Sequence, residues 1–437
     1  DGGTGASALR ADLATDGGGV LLDGPVSVNG LRTIDTAGLA TEAGSITFTG
    51  QASADGLSAA LDLDARAATV GGDITLAGVT EVDEGSLLTT LDVRTSAVAG
   101  GSGVIALGGD VVTSGQQTYD GFVVVDAAEA TLDAGMGALV FDDALSLGSS
   151  TTTLRGGEVD FAASVTGSGS SPATLTIQST GDARIGGVAE TPGELTLTLG
   201  EQAQLVGPFA GITVTSSGET FVNAGASSFD APVTVASATA VTFEDGAVLS
   251  TTGDTITLGD GSGDLSLASG GNVLITTGIF GGDIVLNPGS GVVAASDGTG
   301  SLTLSAGTGD VRVSGDLGRV GSAFDSIDVQ TSGILALSDG EVAATTLDFG
   351  GLTGPITISD EARLTSTGDL DLSSVRSITS LDAGMQPARF VVTTTGTVTL
   401  PVVGSDSVFG SQPLESVSLA ANGLRLGGDI AATSIDA

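Results

Sequence analysis

Cysteine, histidine, lysine and tryptophan are all missing from the 437 residues, and each absence removes a class of explanation. Without Cys there is no disulfide framework to infer. Without His or Lys, a polysaccharide-cleaving site would have to move protons and stabilise charge with carboxylates and scattered Arg alone. Aromatic residues are 3% of the chain, with Tyr119 the sole tyrosine, too few for several globular cores built around large rings. No run of eighteen or more apolar residues occurs, so membrane insertion of this segment as a helix is not expected. The twelve Arg face 52 acids, a net charge of −40, which argues against nucleic acid or an anionic membrane as partner because neither would meet a basic patch. An initiator Met, a signal peptide and a C-terminal sorting pattern are likewise absent from the sequence, and the chain reads as a mature piece or a fragment.

What is present is small and aliphatic. The hydrophobic fraction is 40% and 71 residues are Gly; Val, Leu, Ile and Ala supply a narrow core, so the composition is not that of a disordered chain. Asp outnumbers Glu 39 to 13, and much of it lies beside Gly in "GGD", "DG" and "GD". That is turn chemistry: Asp tolerates left-handed geometry and bonds its own backbone, and Gly accepts positive φ.

Alternation dominates locally. "SITFTG" 45–50, "TLTIQS" 174–179, "ELTLTLG" 194–200, "DTITLGDG" 254–261, "SLTLSAG" 301–307 and "GTVTLP" 396–401 each read as a short strand of period two bounded by Gly, Asp or Pro. No window carries a helical stripe over three turns; "AALDLDARAAT" 59–69 comes nearest, and its Leu61/Leu63 alternation is again that of a strand. The fold class is all-β.

Phrases also recur. "DGPVSV" 23–28 returns as "DGFVVV" 120–125, "DAPVTV" 230–235 and "TGPITI" 353–358, so degenerate superrepeats begin near 23, 120, 230 and 353. "LGGDV" 107–111 returns as "LGGDI" 426–430, "VGGDI" 70–74 and "FGGDI" 280–284, and both Met residues sit in the words "LDAGM" at 132–136 and 381–385. A five-residue strand cannot bury a face alone, so such repeats must stack. The expectation is one continuous parallel β-solenoid over residues 1–437, of about 18–22 coils with roughly 20–25 residues each. The alternative is a string of tandem β-sandwich domains of about 100 residues, disfavoured by the lack of a large aromatic for each core and of linkers.

The stretch "LGGDVVTSGQQTYDGFVVV" 107–125 resembles the recurring unit of filamentous-haemagglutinin-type exoproteins and related haemagglutinin-repeat surface adhesins, with close relatives in this chain at 217–235 and 410–437. In that family the pattern is a Gly-Gly-Asp strand, then Gly-x-Gln-Thr-Tyr, then Asp-Gly-Pro-Val and a Thr-rich strand. Residues 107–121 follow it; Phe122 replaces the usual proline. Around 221–232, Phe221 and Phe229 stand where the aromatic is sought and the Gln-Thr-Tyr triplet is lost. The likeness is spread along the chain and strong in about a third of it. It implies a right-handed parallel β-helix exported through an outer-membrane secretion partner or an autotransporter route, acting at the cell surface or as a released fibre. By the same resemblance the native chain is expected to precede Asp1 and continue past Ala437.

The candidate chemistry is sparse. "GDGSGDLSL" 259–267 places Asp260 and Asp264 in a Gly-rich turn, a weak candidate for Ca2+ by its likeness to calcium-binding nonapeptide repeats; it lacks the paired opening glycines and a tandem copy, and turn chemistry is the plainer reading. Asp142 and Asp143 of "FDD" are neighbours on a strand, whose side chains point to opposite faces, and read as a strand end. Tyr119 reads as a wedge at a coil corner in preference to a ligand-stacking ring. The runs around Thr151–Thr153, Thr196 and Thr198 read as cross-coil Thr packing, too irregular for an ordered lattice binder. No catalytic residue and no cofactor is assigned. The functional expectation is a non-catalytic structural or adhesive fibre segment, extracellular or at the cell surface, with homotypic end-to-end or lateral assembly and a cell-surface or glycan receptor as partners. The alternative is a carbohydrate-active β-helix enzyme with an all-carboxylate site.

Overall fold

The computed structural model describes residues 7–436 except 38–41, 57, 68–69, 82–85, 96–102, 148–150, 162–164, 167–172, 180–182, 186–194, 200–204, 207–208, 217–218, 223–224, 230–231, 269, 290–291, 296–298, 319–322, 381–387, 402–413 and 427–431. Among the described residues there are 48 strands and no helix. Strand pairs run parallel, each joining a strand to one a coil further along the chain. Tandem sandwiches would pair their strands antiparallel; the chain is a parallel β-solenoid. Its residues fall into two compact units, 1–217 and 218–437.

In the first unit, Ile34, Leu63, Val93, Tyr119 and Phe141 pair in sequence across five successive coils, and all are fully buried. Beside them runs a second inward column, Leu61, Leu91, Gln117, Leu139 and Val159. The column between points out and carries Asp62, Asp92, Thr118 and Val140. This is what period-two alternation produces when identical faces are stacked in register.

The second unit repeats the arrangement. Thr220, Val241, Leu265, Val293, Leu317, Val342, Leu364, Val392 and Leu419 form one unbroken inward column, none more than 7% exposed. Each buried Val or Leu contributes about 1.5–3 kcal/mol relative to an exposed one, so the column is a large cohesive contribution to the unit.

Coil length varies more than the sequence suggested. Phe141 to Phe161 takes 20 residues, whereas Leu63 to Val93 takes 30. Long coils mean fewer turns than the 18–22 expected. The variation is absorbed at the corners, where buried Thr side chains pin the bend: Thr36 Oγ1 donates to the Gly44 carbonyl at 2.5 Å and Thr277 Oγ1 to that of Gly282 at 2.7 Å.

The four recurring phrases play one local role. Their fourth and sixth residues, Val26 and Val28, Val123 and Val125, Val233 and Val235, Ile356 and Ile358, are all buried. The N–H of the fourth residue donates to a carbonyl one coil on, at 2.8–2.9 Å in every copy: Gln51, Ala144, Thr255 and Ser377. The residue before it faces outward and needs no N–H, which suits Pro25, Pro232 and Pro355 and tolerates Phe122.

Candidate functional site

Polar side chains that carry chemistry lie at coil corners and on the outward faces, and the acids do most of their work between coils. Asp73, Asp110 and Asp283, the acids of three Gly-Gly-Asp phrases, each accept the backbone N–H of a residue one coil further on: Val104, Thr131 and Asp310, at 2.8–2.9 Å. Asp12, Asp245, Asp310, Asp316 and Asp369 do the same for Thr33, Asn272, Ile334, Glu341 and Thr397. Each carboxylate supplies the acceptor that the ladder lacks where a strand begins, and N–H groups left unmatched there would be costly. Bonds from the backbone and side-chain N–H of Asn272 hold the Asp245 carboxyl below its ordinary range.

A second group of acids turns the chain locally. Asp35, Asp64, Asp133, Asp260, Asp348 and Asp371 accept the N–H two residues on, as expected of turn chemistry. This local role is legible in the sequence and the cross-coil one is not, because the partner N–H lies 21 to 31 residues away and no local pattern marks it.

The Gln-Thr-Tyr triplet is a buried pin. Gln117 Nε2 donates to the carbonyls of Val111 and Asp133, at 3.1 and 2.8 Å, and to Thr113 Oγ1 at 3.2 Å. Its Oε1 accepts the Tyr119 hydroxyl at 2.9 Å. The Tyr119 ring stacks on Phe141 of the next coil, centroids 5.3 Å apart and planes 12° from parallel. Tyr119 therefore lies inside the strand Gln117–Asp120, not at a coil corner as expected, because its position in the alternation faces the core. Burial raises its pKa, and it presents no ring to a ligand.

Among the described residues, a dense outward charge cluster sits on the same coils. Arg94 bonds Asp62 and reaches Asp92 at 3.4 Å and Asp64 at 3.9 Å. Arg66 clasps Asp64 through Nε and Nη2, at 3.0 and 2.7 Å, and lies 3.9 Å from Asp120. Burial works to raise the Asp64 pKa, but the Arg66 hydrogen bonds and the charges of Arg66 and Arg94 outweigh it and hold the carboxyl down. For Asp92 burial wins: it pushes the carboxyl up against the pull of Arg94, with Asp62 and Asp120 adding to the rise. Two neighbouring carboxyls with opposite shifts are the arrangement from which acid and base roles can be built.

The residues singled out from the sequence disperse. Asp260 is bound by the Ser262 hydroxyl and N–H, the hydroxyl bond doing most to lower its pKa. Asp264 opens the strand Asp264–Leu267. Among the described residues no group of three or more acids gathers to hold a metal ion. Asp143 accepts the N–H of Ala144 at 2.8 Å and Asp142 donates its own to the Tyr119 carbonyl, a strand end. Thr131, Thr153, Thr176 and Thr213 form one outward column over four coils, while Thr196 and Thr198 pair with Arg184 and Asp160 and do not extend it. The second "LDAGM" and most of "LGGDI" 426–430 lie outside the described residues. No family model, curated protein or solved structure matches the chain.

Proposed function

We propose that this chain is a non-catalytic segment of an extracellular structural and adhesive fibre, carried to the cell surface with the help of an outer-membrane partner. The observation that carries the reading is how the acids are used. Eight aspartates tie one coil to the next, so the residues that make the surface acidic also serve continuity of the stack. Such a stack transmits load through backbone ladders and presents a repetitive acidic face to a receptor or to copies of itself. Labelling of unpermeabilised producing cells with an antibody to this segment, followed by negative-stain imaging of the released material, tests it. Surface label and slender particles are expected. Label only after permeabilisation would overturn the location, and compact particles of native material the fibre.

A second reading rests on Asp62, Asp92 and Arg94. A carboxyl with a raised pKa that shares a guanidinium with a second carboxyl is the minimum for acid–base cleavage of a glycosidic bond, and an acidic or neutral polysaccharide would be the substrate class. Incubation with such polysaccharides, read by reducing-sugar release, decides between the two. Turnover that disappears in Asp92→Asn would replace the fibre reading with the enzymatic one.

A further inference from the structure

One corner of the second unit breaks the pattern by which large apolar side chains turn inward. In the turn between the strands Asn272–Thr276 and Ile284–Leu286, Ile279 and Phe280 are 75% and 78% exposed. Phe243, Phe324, Phe349 and Phe390 of the same unit are buried. The turn is held in place by several features. Gly278 and Gly281, on either side of the pair, take φ of 71° and 99°, which L side chains rarely adopt. Thr277 Oγ1 closes the turn by donating to the Gly282 carbonyl at 2.7 Å. Glycines on both neighbouring coils clear its seat: a Cβ on Gly253 would lie 2.9 Å from Phe280 Cβ, and one on Gly307 would lie 2.9 Å from Ile279 Cα. Three coils thus give up side chains so that two apolar groups can be held outward, already in position to be buried, and preorganisation of this kind lowers the entropic cost of association.

We propose that Ile279 and Phe280 form an anchor that docks into an apolar cleft with a basic border on another protein. The border is assigned by charge. Asp254, whose carbonyl packs against Gly282, flanks the turn together with Asp283 and Asp310, and among the described residues Arg312 offsets them, 3.1 and 2.8 Å from the last two. A cleft edged with Lys or Arg complements that rim. A second copy of this chain offers no Lys, and six of its twelve Arg (Arg66, Arg94, Arg155, Arg312, Arg363 and Arg389) are each already beside an acid, which makes it the poorer complement. An anionic lipid surface is repelled by a net charge of −40. The proposal names a partner class for the adhesive part of the reading above and rests on it, but its test does not depend on fibre formation.

The probe is a fluorescent amphipathic helical peptide of Leu and Lys, which presents an apolar stripe between basic edges, beside a control with Ala in place of Leu. Anisotropy titrations at high salt suppress attraction by net charge alone. The Leu peptide is expected to bind about tenfold more tightly than the Ala peptide, a difference within reach of burying two side chains. That difference should vanish in the double variant Ile279→Ser/Phe280→Ser and survive in Met136→Ser, which removes an exposed apolar residue of the other unit. Far-UV circular dichroism confirms that both variants keep their strands. Equal binding of the two peptides, or a preference that survives the double variant, would overturn the proposal. So would Phe280-dependent flotation with phosphatidylcholine vesicles, or Phe280-dependent self-association in sedimentation, without peptide binding.

Discussion

At the scale of single residues, hydrogen-bonding capacity explains more of this chain than charge does. Asp110 and its equivalents act as acceptors for an N–H in the next coil, so an uncharged acceptor of the same shape should serve nearly as well. Asp110→Ala is expected to lower stability by about 0.5–1.5 kcal/mol and Asp110→Asn by much less, measured as urea midpoints. Equal losses would assign the role to charge. Gln117 carries more, since it satisfies two carbonyls and two hydroxyls inside the core. Gln117→Leu keeps the volume but takes the acceptor from the buried Tyr119 hydroxyl and a donor from the Val111 and Asp133 carbonyls, so a loss of about 2–4 kcal/mol is expected; a neutral result would show that water replaces the amide. Asp92 goes the other way. Its folded pKa lies above the unfolded value, so its contribution is intact below the unfolded pKa, near 4, and declines as pH rises through the folded one. Asp92→Asn should therefore stabilise at neutral pH, by no more than a few tenths of a kcal/mol since the side chain is 40% exposed, and the gain should fade near pH 3. A gain that persists there would rule out ionisation as its cause.

At the scale of the element, a coil is defined as much by where it has no side chain as by where it has one. Gly354, second residue of the phrase "TGPITI", would place a Cβ 1.5 Å from the Gly333 carbonyl oxygen one coil back. Gly354→Ala must push two coils apart and is expected to cost at least about 2–3 kcal/mol, seen as a lowered thermal midpoint; an unchanged midpoint would mean the coils slide freely. These same phrases made the fold legible. Alternation in "DGFVVV" or "SITFTG" assigns strands because the period is local, and recurrence of the phrases implies stacking because one strand cannot bury itself. Coil length was not legible, since 20 and 30 residues between equivalent positions close the same corner with different loops. Nor were the partner of Asp110 and the inward stacking of Tyr119, because both depend on the register of a neighbour some twenty residues distant. The Asp62–Asp92–Arg94 cluster escaped for the same reason: Asp62 lies one coil before Asp92 and Arg94, and only stacking brings it beside them.

At the scale of the whole molecule, 52 acids against twelve Arg create a repulsion that every coil contact must outweigh. The acids are not gathered to bind an ion among the described residues, so the field is diffuse and any cation that screens it should help. Raising NaCl from about 10 mM to about 1 M shortens the screening length from about 30 Å to about 3 Å. The urea midpoint is therefore expected to rise steadily over that range, with no plateau at a fixed ion-to-protein ratio. Calcium chloride at matched ionic strength should give a gain of similar size, and calorimetric titration should show no stoichiometric heat. A saturating rise at micromolar calcium would contradict this, and its loss in Asp260→Asn or Asp264→Asn would locate a site that these two acids help to form. Without that result, the acidity is read as a property the stack tolerates for the sake of its Asp-built corners and joints.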